Sequence, residues 1–355
     1  MQIKRIEKEI RDTPYHKGTE HHIGKLRARL SKLKAEDENQ TQISKGGGAG
    51  GYAVKKQGDA TVILIGPPSV GKSTLLNKLT NAKSKIAPYA FTTLTVIPGM
   101  MKHKDAHIQI LDVPGIIAGA EKGRGRGREV LSVARGADLL IIMTDVKKLD
   151  YIEQIKVSLY ENGIRLNMAP PDVVVEKKMR GNVAVHSNIK QDISMETIKD
   201  VAREFGYKNA EITIREKLTM ERLIDSFASN RVYVREFSIV NKIDEATEKE
   251  KKLIPNSVIS ISAEKDRGLE KLRDAMWDYL NFARIYLVRR DEEPSNKNPM
   301  IVKKGQTLQE VASKISSEFT ETMERAKIWG NGAKFPGQTV PLSNLVEEGM
   351  QVRFI

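Results

Sequence analysis

Gly66-Pro67-Pro68-Ser69-Val70-Gly71-Lys72-Ser73-Thr74 constrains this chain more than any other stretch. The apolar run Thr61-Val62-Ile63-Leu64-Ile65 leads into it, and a helical pattern carried by Leu75, Leu76 and Leu79 follows. Strand, glycine loop and helix in that order is the setting in which backbone N–H groups cradle phosphate oxygens. Gly66 and Gly71 let the backbone curl inward. The helix beginning near Gly71 adds the positive end of its dipole. Lys72 can reach the outer phosphates, and the Ser73 hydroxyl can bind Mg²⁺. Pro67 and Pro68 carry no N–H, so the cradling amides come from Ser69, Val70, Gly71, Lys72, Ser73 and Thr74. A chance glycine loop is the competing reading, and it leaves the flanking strand and helix unexplained.

Residues 60–146 alternate strand and helix patterns, which predicts a mostly parallel sheet with helices on both faces. A ligand then sits at the carboxyl ends of the strands. His107 to Leu111 reads as a strand ending in Asp112-Val113-Pro114-Gly115. Asp112 can bind Mg²⁺ through water, and the Gly115 N–H can sense a γ-phosphate. A threonine hydroxyl before it, Thr93 or its neighbour Thr92, can close onto the metal. Further on, the strand Phe237 to Val240 ends in Asn241-Lys242-Ile243-Asp244. The Asp244 carboxylate can accept from guanine N1–H and the N2 amino group, an arrangement that adenine lacks. Asn241 can serve the O6/N7 edge and tie this loop to the phosphate site, and the Lys242 stem can lie along the base. Ser260-Ile261-Ser262-Ala263 closes another strand, where Ser262 lies beside the base loop and the Ala263 N–H can meet O6. A base that leaves buried polar groups unpaired is rejected by several orders of magnitude. Four such motifs in order point to a GTP-hydrolysing domain.

Ras-like enzymes place a glutamine directly after the γ-phosphate-sensing glycine, where it orients the attacking water. Here that residue is Ile116. An aliphatic side chain can do neither half of that job, so slow intrinsic turnover follows unless another group helps. Lys72, Thr93 and Gly115 are the catalytic candidates. Gly119 to Arg128 reads first as a nucleotide-ordered switch, because it follows Gly115 so closely. An RNA-binding arginine/glycine tract is the alternative.

The chain has 355 residues, enough for two or three domains, and 39% hydrophobic residues, enough to build real cores. It has no cysteine, which excludes disulfides and thiolate metal sites. No stretch approaches the ~20 apolar residues of a membrane span, and Met1 to Arg5 shows no apolar leader. A monomer in the cytoplasm with no membrane partner is the expectation. The formal net charge of +13 exceeds what a nucleotide site needs and suggests a polyanion such as RNA; solubility alone is the alternative.

Residues 1–50 read as two short helices over 1–36 and a glycine-rich linker at 46–51. Ile23, Leu26, Leu30 and Leu33 form an apolar stripe, with Lys25, Arg27, Arg29, Lys32 and Lys34 largely off it as a basic outer face. That face suits RNA, a partner protein or plain solvation. His16, His21 and His22 lack the further ligands of a metal site. Residues 51–163 and 234–287 read as two parts of one nucleotide domain, ending in a helix over Gly268–Ala283. Residues 164–233 read as an inserted α+β subdomain that begins with a β-hairpin, Val173–Val175 pairing with Val183–Val185. Residues 288–355 read as a small sheet with one helix, from Thr307 to about Phe319.

These motifs, with Tyr89-Ala90-Phe91-Thr92-Thr93-Leu94, Gly163-Ile164-Arg165-Leu166-Asn167, Asn230-Arg231-Val232-Tyr233 and Trp277-Asp278-Tyr279-Leu280, resemble the Obg superfamily of GTPases. Within it the chain is similar to the DRG (developmentally regulated GTP-binding) proteins, with an archaeal member expected. Val302-Lys303-Lys304-Gly305-Gln306-Thr307 and Ala326-Lys327-Ile328-Trp329-Gly330 resemble a TGS domain. The resemblance implies an α/β fold: a Ras-like P-loop GTPase domain with an N-terminal helical hairpin, the small α+β insert and a C-terminal β-grasp (TGS) domain. It implies GTP or GDP with Mg²⁺ held by Ser73, Thr93 and Asp112, the threonine role going to Thr93. It implies a translation-linked role with a ribosome or RNA, through the N-terminal helices, the insert and the TGS domain, and a dedicated protein partner is compatible with it. Such GTPases are thought to be potassium-stimulated; Ser69 stands where related cation-dependent enzymes carry an asparagine. A related TGS-bearing branch binds ATP and lacks the Asn-Lys-x-Asp pattern, so Asn241 to Asp244 favours GTP.

Overall fold

The computed structural model describes residues 2–43, 57–80, 87–88, 95–113, 135–315 and 323–355. The chain begins with helices α1 (Gln2–Asp12) and α2 (Glu20–Ile43), then strand β1 (Ala60–Ile65) and α3 (Lys72–Thr80). Strands β2 (Ala87–Pro88), β3 (Thr95–His103), β4 (Ala106–Asp112) and β5 (Leu139–Asp145) follow. A 3₁₀ turn (Val146–Lys148) leads to α4 (Tyr151–Glu161) and β6 (Ile164–Leu166). Next come β7 (Val173–Lys177), β8 (Val183–Ser187), α5 (Met195–Glu204), β9 (Ala210–Ile214) and α6 (Met220–Phe227). Then β10 (Val232–Asn241), α7 (Glu248–Lys251), β11 (Ile259–Ser260), α8 (Leu269–Tyr279) and β12 (Phe282–Leu287). The chain closes with β13 (Pro299–Lys303), α9 (Leu308–Ile315), β14 (Arg325–Trp329), β15 (Gln338–Pro341) and β16 (Gln351–Phe354). Two compact units result: residues 1–51 with 160–233, and residues 52–159 with 234–355.

In the larger unit one sheet runs β11-β10-β5-β1-β4-β3-β2. Its centre is parallel, with β1 between β4 and β5 and β10 between β5 and β11. All six residues of β1 are buried, as a strand covered on both faces requires. Leu75, Leu76, Leu272 and Met276, from α3 and α8, complete the core with Val62, Leu64, Ile141 and Ile239. Each large aliphatic side chain so buried contributes about 1.5–3 kcal/mol. Register places Leu64 beside Asp112, and Asp145 beside Asn241. The carboxyl ends of β1, β4, β5 and β10 therefore share one edge.

The helix expected over Gly268–Ala283 stops at Tyr279. Asn281 takes φ 57, and its side-chain amide donates to the Lys304 carbonyl at 3.0 Å. That left-handed residue turns the chain into β12, which lies between β13 and β16 in the second sheet, β13-β12-β16-β14-β15. Phe282–Leu287, read from sequence as the end of the nucleotide domain, is thus a central strand of the C-terminal sheet. Ala283 and Ile285 join Ala326, Ile328, Val352 and Leu308 in its core.

In the smaller unit the expected hairpin of Val173–Val175 with Val183–Val185 does not form. Strand β9 lies between the two, antiparallel to β7 and parallel to β8. Ala210, Ile212 and Ile214 of β9 are all buried, as the central strand of the three, while β7 and β8 are the edges. Helix α2 runs to Ile43, longer than the short helix expected. Over its residues 20–36 the buried positions are Ile23, Gly24, Ala28 and Ser31 rather than the whole leucine stripe. A Cβ on Gly24 would stand 3.0 Å from the Met220 methyl, so a small residue lets α2 approach α6 closely. The basic outer face is largely engaged: Lys25 pairs with Asp200 at 2.8 Å, Arg27 with Glu221 at 2.7 Å and Lys34 with Glu7 at 3.0 Å. His21 also meets Asp200, and His22 meets Glu9.

A buried charge cluster closes this unit. Asp225 receives Arg165 Nε at 2.5 Å and Arg231 Nε at 2.5 Å, and Arg231 also donates to Ser31 of α2 at 2.7 Å. Arg165 lies on the strand entering the insert and Arg231 just before the strand leaving it, so one carboxylate clamps both crossings. Asp225→Asn leaves one buried and one half-buried guanidinium group, Arg165 and Arg231, without their counter-charge. A broken buried pair costs about 3–5 kcal/mol, so urea unfolding should come earlier and hydrogen-exchange protection across 160–233 should fall. Wild-type protection there would contradict the clamp. Asp200 is held below the ordinary 3.8, at about 2, first by the Lys25 hydrogen bond and then by those from His21 and Arg203. Its folded value lies below its unfolded value, so this stabilisation is complete above pH 3.8 and lost as pH falls through about 2. Acid titration of thermal stability should show that loss in the wild type and not in Asp200→Asn.

Candidate functional site

The loop after β1 is held by close backbone approach. A Cβ on Gly66 would stand 2.0 Å from the Met143 carbonyl oxygen of β5, so no side chain fits there. Gly71 has φ +95, and a Cβ on it would lie 2.5 Å from Asn241 Nδ2. Ser69 takes φ 63, a left-handed conformation that costs a non-glycine residue about 1–3 kcal/mol. Val70 is buried in the core, while Ser69, Ser73 and Thr74 are exposed along the rim.

Lys72 is buried, and its ammonium donates to the carbonyls of Gly66 at 3.0 Å and Pro67 at 2.9 Å. Burial lowers its pKa first, against the opposing pull of Asp112, and Lys148 lowers it further. The Ser73 hydroxyl donates to Asp112 Oδ2 at 2.6 Å. Asp112 is buried, and its other oxygen, Oδ1, has no hydrogen-bond partner among the described residues. An orphaned carboxylate oxygen beside a serine hydroxyl is a hard-oxygen donor set, which fits Mg²⁺.

Asn241 joins the phosphate loop to the base loop. Its Nδ2 donates to the Val70 carbonyl at 2.8 Å, and its Oδ1 accepts from the Ala263 N–H at 2.9 Å. Both ends of the amide are engaged inside the protein. The tie between the base loop and the phosphate site, one of the two roles that the sequence suggested for Asn241, is thus present, and the Ala263 N–H is directed to Asn241; the amide keeps a second N–H and a second lone pair. Lys242 takes φ 61 at the turn that follows. Asp244 is exposed, and the Ser262 hydroxyl leads in holding its carboxyl below the usual range. Ser262 is buried and also accepts from the Lys265 N–H at 3.2 Å.

Lys148 was not among the sequence candidates. Its ammonium donates to the Pro68 carbonyl at 3.2 Å, and the 3₁₀ turn that carries it is capped by Asp145, which accepts from the Lys147 N–H at 3.0 Å. The Thr144 hydroxyl donates to the Lys148 carbonyl at 2.7 Å. The only sequence signal was a polar pair, Lys147-Lys148, directly after a buried strand. The geometry brings together Ser69, Val70, Gly71, Lys72, Ser73, Thr74, Asp112, Asn241, Ser262 and Ala263. Thr92, Thr93, Gly115, Ile116, the Gly119–Arg128 tract and the glycine run at 46–51 lie outside the described residues.

Residues 61–177 match the model of a family described as a 50S ribosome-binding GTPase, residues 180–282 the C-terminal region of that domain, and residues 283–355 the TGS domain. The chain is 44% identical to an uncharacterized GTP-binding protein of Methanocaldococcus jannaschii, over 98% of this chain and 90% of that protein. It is 39% identical to ribosome-interacting GTPase 1 of Saccharomyces cerevisiae, over 98% of this chain and 96% of that one. It is 38% identical to developmentally-regulated GTP-binding protein 2 of Mus musculus, over 97% and 96% respectively.

Asn241→Ala removes two buried hydrogen bonds and leaves the Val70 carbonyl and Ala263 N–H unpaired. An unsatisfied buried group costs about 1–3 kcal/mol, so affinity for GDP should fall at least tenfold in a fluorescent-nucleotide titration. Wild-type affinity would show that the tie does not hold the site.

Proposed function

The chain belongs to the developmentally regulated GTP-binding family of P-loop GTPases, and on that premise we propose that it hydrolyses GTP to GDP and phosphate as a ribosome- or RNA-associated, translation-linked switch. The observation that carries this reading is the Asn241 tie. It holds Lys72 and the loop amides at a fixed distance from Asp244, which suits a ligand with phosphates at one end and guanine at the other. Asp244, exposed and kept ionised, would accept from guanine N1–H and the N2 amino group. Ser69 to Thr74 would cradle the phosphates, Lys72 would neutralise the outer ones, and the Lys242 stem would flank the base. Ser73 and Asp112, with Thr93, would hold Mg²⁺, which when bound supplies charge neutralisation at the phosphates. Gly115 would sense the γ-phosphate.

Ile116 in place of a water-orienting glutamine supports a slow intrinsic rate. The help would come from a monovalent cation such as K⁺, from another residue of the segment after Gly115, or from a partner. Ribosome association is supported by the printed description of the family that matches 61–177 and by the name of the yeast relative. No described helix is long and apolar enough to cross a membrane, and a ribosomal partner carries a cytoplasmic site of action. Ile116 also favours a second reading, a GTP-gated scaffold whose hydrolysis is incidental.

Turnover measured in sodium and potassium buffers, with and without ribosomes, separates the two. The switch expects low turnover for the chain alone in sodium and stimulation by ribosomes. Negligible turnover throughout, with GTP-dependent ribosome cosedimentation, supports the scaffold; rapid turnover alone in sodium contradicts the role given to Ile116. Asp244→Asn presents a donor where the carboxylate accepted. It should lose GTP by at least a hundredfold and turn over xanthosine triphosphate, whose C2 carbonyl accepts. Unchanged GTP affinity would remove Asp244 from the base site.

A further inference from the structure

We propose that the face of the C-terminal sheet turned away from α9 is a platform for single-stranded RNA, built on Arg325, Lys327, Trp329 and Arg353. The proposal rests on the RNA-associated reading above and names its contact surface. Along β14, Ala326 and Ile328 are buried in the core with Leu308, Val311 and Ala312 of α9. Alternation then sets Arg325, Lys327 and Trp329 on the opposite face. Cross-strand register places Lys327 directly beside Arg353 of β16. Like charges directly opposite destabilise a sheet, so this pairing calls for an anion above it. Neither Arg325 nor Lys327 has a side-chain ion-pair partner among the described residues. Arg353 donates to the backbone carbonyl of Glu292 and lies 5.2 Å from the centre of the Trp329 ring.

The rest of this face is already covered. Phe282 of β12 and Ile301 of β13 pack with the core of the nucleotide domain, and Arg284 pairs with Asp105 at 3.0 Å. What stays open is β14 and β15, with Arg325 and Lys327 exposed on β14, while on β16 Arg353 is half-buried and Gln351 donates to Asn296 at 2.8 Å. The loop joining β14 to β15 adds Lys334 and Phe335, the latter 60% exposed. A sheet face with an aromatic ring among spaced cations suits a strand whose bases are unstacked and whose phosphates are free. Arg325 and Lys327, two residues apart, stand about 6.6 Å apart along the strand, within reach of successive phosphates of an extended chain. An acidic peptide would meet the charge and leave the ring unused.

The test uses the full chain and a short single-stranded RNA. The chain has two tryptophans, and Trp277 is 4% exposed, so quenching of tryptophan fluorescence by RNA reports on Trp329. Wild type should bind with quenching, more tightly than it binds a duplex of the same length. Arg325→Ala with Lys327→Ala should weaken binding about tenfold. It should also flatten the slope of log K against log salt by about 1.4, near 0.7 for each lost phosphate contact. Trp329→Phe should abolish the quench; GDP affinity should be unchanged in every variant, which controls for folding. Binding with wild-type affinity and slope in the double variant overturns this face and leaves the RNA reading standing. Binding without quench overturns the role of Trp329 and with it the platform. A polyglutamate peptide that outcompetes the RNA reassigns the face to a protein. No RNA binding by the wild-type chain overturns the platform, while ribosome cosedimentation and stimulation still decide the reading it rests on.

Discussion

One buried amide, the side chain of Asn241, ties the nucleotide site together. It donates to the phosphate loop at Val70 and accepts from the loop after β11 at Ala263. In a low-dielectric interior both bonds are strong, and losing either partner is costly. The neighbouring geometry fits around it. Gly71 has no side chain because the amide nitrogen occupies the place a Cβ would take. The parallel register of β10 with β5, and of β1 with β4 and β5, brings the amide and both loops to one edge of the sheet. The site is therefore a property of the sheet as much as of its loops.

Charge at that edge is arranged rather than abundant. Lys72 is buried and pinned by two carbonyls of its own loop, while Lys148 reaches the same loop from β5's side. Asp112 answers with one oxygen engaged by Ser73 and the other without a hydrogen-bond partner among the described residues. Two residues, Ser69 and Lys242, sit in left-handed conformations at the two loops. Such strain persists where the surroundings over-determine the backbone, which is common where a ligand is to be gripped.

The smaller unit shows the same economy with different chemistry. Asp225 serves two arginines from the two crossings of the chain, and α2 settles onto the insert through Gly24, Ala28 and Ser31. Charge patterning marked Lys25, Arg27 and Lys34 as a basic outer face because the acids that engage them cannot be seen in a helical repeat. Two of those acids, Asp200 and Glu221, come from helices of the insert about two hundred residues away.

Much of this was legible in the sequence. The phosphate loop, Asp112 and the Asn241–Asp244 loop are read locally, because each motif is a few residues whose chemistry does not depend on distant neighbours. Strand and helix patterns were equally local, and most of those elements stand where periodicity put them. What periodicity left open was pairing. Val173–Val175 and Val183–Val185 looked like partners because they are close in sequence, yet β9, more distant along the chain, takes the place between them. The helix over 268–283 looked continuous until Asn281 turned it into a strand of another sheet. Lys148 showed no motif at all. The sequence alone determined which groups are the candidates for holding phosphate, metal and guanine. Only the tertiary structure decided that Asn241 spends its amide on Val70, 171 residues away, because burial forces each polar group to find a partner and only the folded chain says which one is near.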